Sequence, residues 1–130
     1  MQEGVAEVAE VGVFGPIIAQ AIDAVVIIDP DDRVVLFNAA AERLWGVARG
    51  DVLGRNVSML VPESHRSRHV EQLARNRAGG EDRAVGRTIE VPVIRPDGSR
   101  VWGAMSLSRT RIDGRIYYAA FVKDVTEDVK

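Results

Sequence analysis

The chain has 130 residues, 46 % of them apolar and 28 % charged, which suits one globular domain around a single core. Its net charge of −2, with basic residues interspersed among acids, gives no global attraction to nucleic acid, and no apolar run approaches the roughly 20 residues that span a bilayer. The absence of cysteine excludes disulfides, thiolate metal sites and thiol catalysis, and the acidic start Met1-Gln2-Glu3 lacks signal-peptide character, so a cytoplasmic protein is expected.

In chain order, Val5, Val8, Val11, Phe14, Ile17 and Ile18 lie close to helical spacing. Gly12, Gly15 and Pro16 interrupt them, which predicts a flanking helix over residues 1–20 broken near Gly15-Pro16. Ala24 to Asp29 is a β-branched run closed by the turn Pro30-Asp31-Asp32-Arg33, and Val34 to Phe37 reads as its hairpin partner. Asn38 is placed to cap a short helix, Ala39 to Trp45, that stops at Gly46. Brief helical turns follow at Asp51–Gly54 and Val57–Leu60. Pro62 then suits the first turn of a longer helix through about Arg77, with Ala78-Gly79-Gly80 as its stop.

The last third changes character. Thr88 to Ile94, Val101 to Arg109 and Ile116 to Val122 are strand-like, divided by the turn signals Pro96-Asp97-Gly98 and Asp113-Gly114. The expected fold is α+β: a five-stranded antiparallel sheet with short helices and one longer helix over one face. Its body spans residues 21–127, and residues 128–130 read as the start of a further helix or linker.

Chemistry-bearing residues are few. The chain has two histidines, His65 and His69, both in the segment before Gly79-Gly80. An imidazole on a helix facing an apolar wall is the usual protein ligand of a five-coordinate haem iron, and it is also an ordinary solvated or capping residue. An i, i+4 histidine pair can bind a bare divalent metal, although no third ligand stands nearby. No phosphate-cradling loop, paired-acid constellation or Ser-His-Asp arrangement is visible, so the domain itself reads as non-catalytic.

Several strings together resemble the PAS domain, a small sensory module. They are Val25-Val26-Ile27-Ile28-Asp29, Phe37-Asn38-Ala39-Ala40-Ala41-Glu42-Arg43-Leu44-Trp45-Gly46, Val52-Leu53-Gly54, Arg95-Pro96-Asp97-Gly98-Ser99 and Phe121-Val122-Lys123-Asp124-Val125-Thr126. They cover about residues 20–127. Within them Met59-Leu60-Val61-Pro62 through Arg66-Ser67-Arg68-His69 is similar to the haem-binding PAS domains of FixL-type sensors and of the direct oxygen sensor phosphodiesterase.

That resemblance implies haem b, with His69 as the proximal iron ligand and its second ring nitrogen held by a hydrogen bond. It implies Met59, Leu60, Leu73, Val85, Ile89, Met105, Leu107 and Phe121 around the porphyrin, and Arg75 and Arg83 near the propionates. Strand alternation puts Arg87, Ile89 and Val91 on one face, with Met105 and Leu107 on the neighbouring strand. The oxygen-bonding arginine of FixL-like proteins is replaced here by Ile89. Arg87 stands where the phosphodiesterase sensor has a methionine ligand. Arg87 is the expected distal donor to a bound gas, or else a surface residue; Met105 is a second distal candidate, as an iron ligand. Trp45 and Trp102 are expected to pack rather than stack on a cofactor.

The function so implied is sensing of a diatomic gas, most readily O2, with CO or NO as alternatives. The expected partners are an output signalling domain and a second copy, joined through the N-terminal helix and the sheet; neither nucleic acid nor membrane is expected. Two competitors are a non-covalent flavin redox PAS domain and a cofactor-free dimerisation module. A flavin photoadduct is excluded, since the string Gly54-Arg55-Asn56-Val57 carries valine where that chemistry needs cysteine.

Overall fold

The computed structural model describes residues 23–78 and 85–126. The expected helix over 1–20, the Gly79-Gly80 stop, Arg83 and the segment 128–130 lie outside the described residues. No described helix is long and apolar enough to cross a membrane.

Five strands form one antiparallel sheet: β1 (Ala24–Ile28), β2 (Val34–Phe37), β3 (Thr88–Ile94), β4 (Arg100–Ile112) and β5 (Arg115–Asp124). Their spatial order is β2-β1-β5-β4-β3, so the last strand in sequence lies at the centre beside the first. Its pairing with β1 matches Val26 with Ala120 and Ile28 with Tyr118. Pro92 removes a ladder donor, and it stands on β3, an edge strand, where that loss is tolerated. The expected strands are present, with β4 and β5 extending further toward their shared turn at Asp113-Gly114.

Among the described residues, two helices and three short 3-10 turns lie between β2 and β3: α1 (Ala39–Trp45), turns at Arg49–Asp51, Val57–Leu60 and Glu63–His65, then α2 (Arg66–Arg77). The helix expected from Pro62 is therefore a 3-10 turn followed by twelve α-helical residues. Asn38 caps α1 and also bonds the sheet. Its Oδ1 accepts from the Ala41 N–H at 3.0 Å and from the Val25 N–H at 2.9 Å, while Nδ2 donates to the Asp23 carbonyl at 3.1 Å. At the other end Gly46 takes a left-handed φ of 70°, and Arg95 donates to the carbonyls of Leu44 and Arg43.

The core joins these helices to the sheet. Phe37, Val34, Val52, Val93, Tyr118 and Val122 are its largest fully buried side chains. Burial of each such apolar side chain stabilises by about 1.5–3 kcal/mol. Trp45 packs in the core and also lines a cavity between α2 and the sheet. Its ring lies 5.8 Å from that of Phe37, and Nε1 donates to the Leu60 carbonyl at 3.0 Å. Trp102 is half-buried on β4, with its backbone N–H bonded to Thr126 Oγ1.

Candidate functional site

The core is incomplete between α2 and the sheet, where a cavity of about 550 Å³ opens. That size falls within the roughly 300–1,000 Å³ of ligand pockets. The sheet wall follows from strand alternation: Val26 and Ile28 of β1, Met105 and Leu107 of β4, and Tyr118, Ala120 and Val122 of β5. Ile89, Val91, Pro92 and Val93 continue it on β3, with Arg87 just ahead of the strand. Trp45, Val57, Leu60, Val61 and Pro62 close one end.

The helical wall has helical spacing. Arg68, His69, Gln72, Leu73 and Asn76 of α2 line the cavity, the i, i+1, i+4, i+5, i+8 pattern of one face, and His65 adds to it from the preceding turn. His65 and Arg68 are exposed at the mouth; His69 is half-buried further in. The interior is thus apolar, with its polar groups gathered along α2 and at Arg87.

His69 has the unusual environment. Its Nδ1 is buried and has no hydrogen-bond partner among the described residues. A buried imidazole nitrogen left unbonded costs about 1–3 kcal/mol. Burial lowers the pKa of His69 from its ordinary 6.5, outweighing the opposing field of the Asp32 carboxylate. The ring is therefore held neutral near pH 7, the form in which imidazole is a metal ligand. An apolar chamber with an unsatisfied neutral imidazole on one wall fits a haem group. A bare divalent ion fits poorly, since no group of three or more His, Asp or Glu is found among the described residues.

Of the residues expected at a haem, Leu60, His69, Leu73, Arg87, Ile89, Met105 and Leu107 come together around this cavity. Four others do not line it. Phe121 is 45 % exposed, because its β5 neighbours Ala120 and Val122 take the cavity side and alternation turns Phe121 away. Arg75 is exposed, lying off the helical face that carries His69, Gln72 and Asn76. Met59 packs partly against the core and lines an outer groove with Arg55 and Arg66, while its neighbour Leu60 takes the cavity. Val85 packs against the core beside Leu107 without reaching the cavity lining. Sequence reasoning did not single out Arg68, Gln72, Asn76 or Tyr118. Helical spacing from His69 was signal enough for Gln72 and Asn76 but not for its sequence neighbour Arg68, and alternation reaches Tyr118 only once Val122 is known to face inward.

Comparison with known proteins agrees with this architecture. The chain is 38 % identical over 118 residues to the oxygen sensor protein DosP of Escherichia coli (strain K12), a match covering 91 % of this chain and 15 % of that protein. It is 35 % identical over 105 residues to the sensor protein FixL of Bradyrhizobium diazoefficiens, covering 81 % of this chain and 21 % of FixL. The chain thus spans about a fifth or less of the length of these curated relatives. Among solved structures, an RNA-binding light-oxygen-voltage receptor superposes with a TM-score of 0.70 at 32 % identity, over 91 % of this chain and 34 % of that one. A model of the PAS fold matches residues 16–125, and with the sheet order, the capped α1 and the cavity under α2 this shows that the chain belongs to the PAS family.

Proposed function

We propose that this PAS domain is a haem-based gas sensor that regulates an attached or partner output module, with O2 as its ligand. The observation that carries this reading is His69, a half-buried imidazole of lowered pKa lining an apolar cavity between α2 and the sheet. The similarity to an oxygen sensor protein supports it, as does the resemblance of the segment Met59 to His69 to haem-binding PAS domains.

When bound, haem supplies a ferrous iron that takes a diatomic gas, O2 or alternatively CO or NO. His69 would hold the iron by one imidazole nitrogen. The rest of the lining would exclude water and contact the macrocycle through Leu60, Leu73, Ile89, Met105 and Leu107. Arg68, at the polar margin, would meet the propionates, and Arg87 would either donate a hydrogen bond to the gas or turn outward to a carboxylate. Neither the fold nor the site needs chemistry of its own; the output would lie in a following module reached from Asp124-Val125-Thr126, within a cytoplasmic homodimer.

A second reading, a non-covalent flavin domain, is favoured by the likeness to the light-oxygen-voltage receptor and by the amides of Gln72 and Asn76 in the lining. The absorption spectrum of the purified chain, before and after addition of haemin, separates the two. A Soret band that rises to one equivalent supports haem. A flavin band with no haemin uptake would replace the haem reading by the second.

A further inference from the structure

The last turn of α2 makes a set of bonds that the haem reading leaves unused. Arg77 Nε donates to Asp32 Oδ1 at 2.6 Å, Nη1 to the Ile116 carbonyl at 2.8 Å and Nη2 to the Asp29 carbonyl at 2.8 Å. Its guanidinium also lies over the Tyr118 ring, with Cζ 5.1 Å from the centroid. One side chain thus ties α2 to the β1–β2 turn and to the central strand β5. The ion pair is sheltered, since the side chains of Arg77 and Asp32 are 17 % and 24 % exposed.

Asp32 is built to receive it. Its φ of 65° is left-handed, a conformation that aspartate tolerates better than most residues. The turn around it is closed by the bond from the Asp32 N–H to the Asp29 carbonyl at 3.0 Å. The Asp32 carbonyl accepts from the Val57 N–H at 2.9 Å. Asp29 Oδ1 accepts from the N–H groups of Asp31 and Arg33. The carboxylate is therefore presented on a fixed turn, and its field also reaches His69.

The helix needs such a tie. Of the twelve residues of α2, Leu73 and Asn76 are the buried ones, and the inner face that carries them lines the cavity. His69 stands eight residues before Arg77, about 12 Å along the axis at 1.5 Å per residue. The other end of α2 is tied to the preceding turns, where Arg66 Nε donates to the Ser58 and Val61 carbonyls at 3.0 and 3.2 Å, so Arg77 is the side chain that fixes the helix to the sheet.

We propose that Arg77 is a positioning residue, whose clamp on Asp32, Asp29 and Ile116 sets how α2 lies over the sheet and hence where His69 stands in the cavity. The clamp also gives α2 a rigid connection to β5, so displacement of His69 by a cavity ligand loads the strand that ends at Asp124. The consequence for haem rests on the function proposed above; the clamp itself does not.

Full-length Arg77→Met and Arg77→Lys variants test this by amide hydrogen exchange and by the imidazole nuclear magnetic resonance signals of His69, both without added ligand. Arg77→Met should raise exchange in α2 at least tenfold, about the worth of one charged hydrogen bond, with β4 and β5 little changed. It should also shift the His69 signals, and Arg77→Lys, which keeps the charge without the fork, should fall between it and the wild type. In haem-loaded protein the rate of haem loss should rise in the same order. Unchanged α2 exchange in Arg77→Met overturns the clamp, and a loosened α2 with unmoved His69 signals reduces Arg77 to a structural tie and overturns the positioning role. A wild-type protein that takes up no haem refutes the haem reading while the ligand-free measurements still decide Arg77.

Discussion

Arg87→Ala probes the distal side of the cavity. Arg87 is the basic residue of the sheet wall, just ahead of β3, and it follows Gly86, whose φ of 81° turns the chain into the strand. Oxygen on ferrous haem carries more negative charge than carbon monoxide, so a cationic donor favours oxygen selectively. A hydrogen bond to a charged group contributes about 1.5–3 kcal/mol, or roughly tenfold to a hundredfold in a rate. Arg87 is solvent-exposed at the cavity edge, and water competes for its donors there, so the low end of that range applies. We expect Arg87→Ala to speed oxygen release about tenfold while changing carbon monoxide release less than about threefold. Stopped-flow displacement and flash photolysis on the ferrous protein measure both. Equal losses for the two gases would mean a collapsed pocket, and no change in either would place Arg87 outside the chemistry; both results refute the donor role.

Acid should weaken the fold through His69. Its pKa is lowered in the native state, so below about pH 6.5 the unfolded chain binds more protons and stability falls as pH drops, whereas above 6.5 this contribution is complete. Urea unfolding across pH 5–8 should show that slope reduced in His69→Gln; an identical slope in both proteins would contradict it. Gly103→Ala should destabilise by about 1–3 kcal/mol, because the added Cβ would lie 2.5 Å from Val122 Cγ1 on the cavity wall. Urea midpoints measure this, and a neutral effect would mean that Val122 yields freely. Met105→Leu should leave the ferrous haem spectrum unchanged if Met105 only packs; loss of a low-spin form in that variant would make Met105 the distal ligand.

Local signals made most of the fold legible. The β-branched run at Ala24–Ile28, the Asn38 cap, the Gly46 stop and the two turns before β4 and β5 each depend on neighbours within a few residues, and each lies where the sequence places it. The helix start was less clear, because Pro62 is compatible with both a 3-10 turn and an α-helical first turn. In the site, parity and helical spacing correctly group Arg87, Ile89 and Val91, and Met105 with Leu107. The same rule applied to β5 excludes Phe121 once Val122 is known to face inward, which the resemblance alone did not decide. Arg75 fails for a similar reason, the angular position of a residue six after His69. The Arg77–Asp32 pair was not legible at all. Its members lie 45 residues apart, and nothing local to either distinguishes it from any exposed charge.

The central claim is ligation by His69, and haemin titration of wild-type, His69→Ala and His65→Ala proteins tests it most directly. The account predicts a saturable Soret band at one haem per chain in the wild type and in His65→Ala. In His69→Ala, with its circular dichroism unchanged, haem retention should be lost or greatly weakened. Full haem retention with an unaltered spectrum in His69→Ala would contradict the account, and loss in His65→Ala instead would assign the iron to the other histidine.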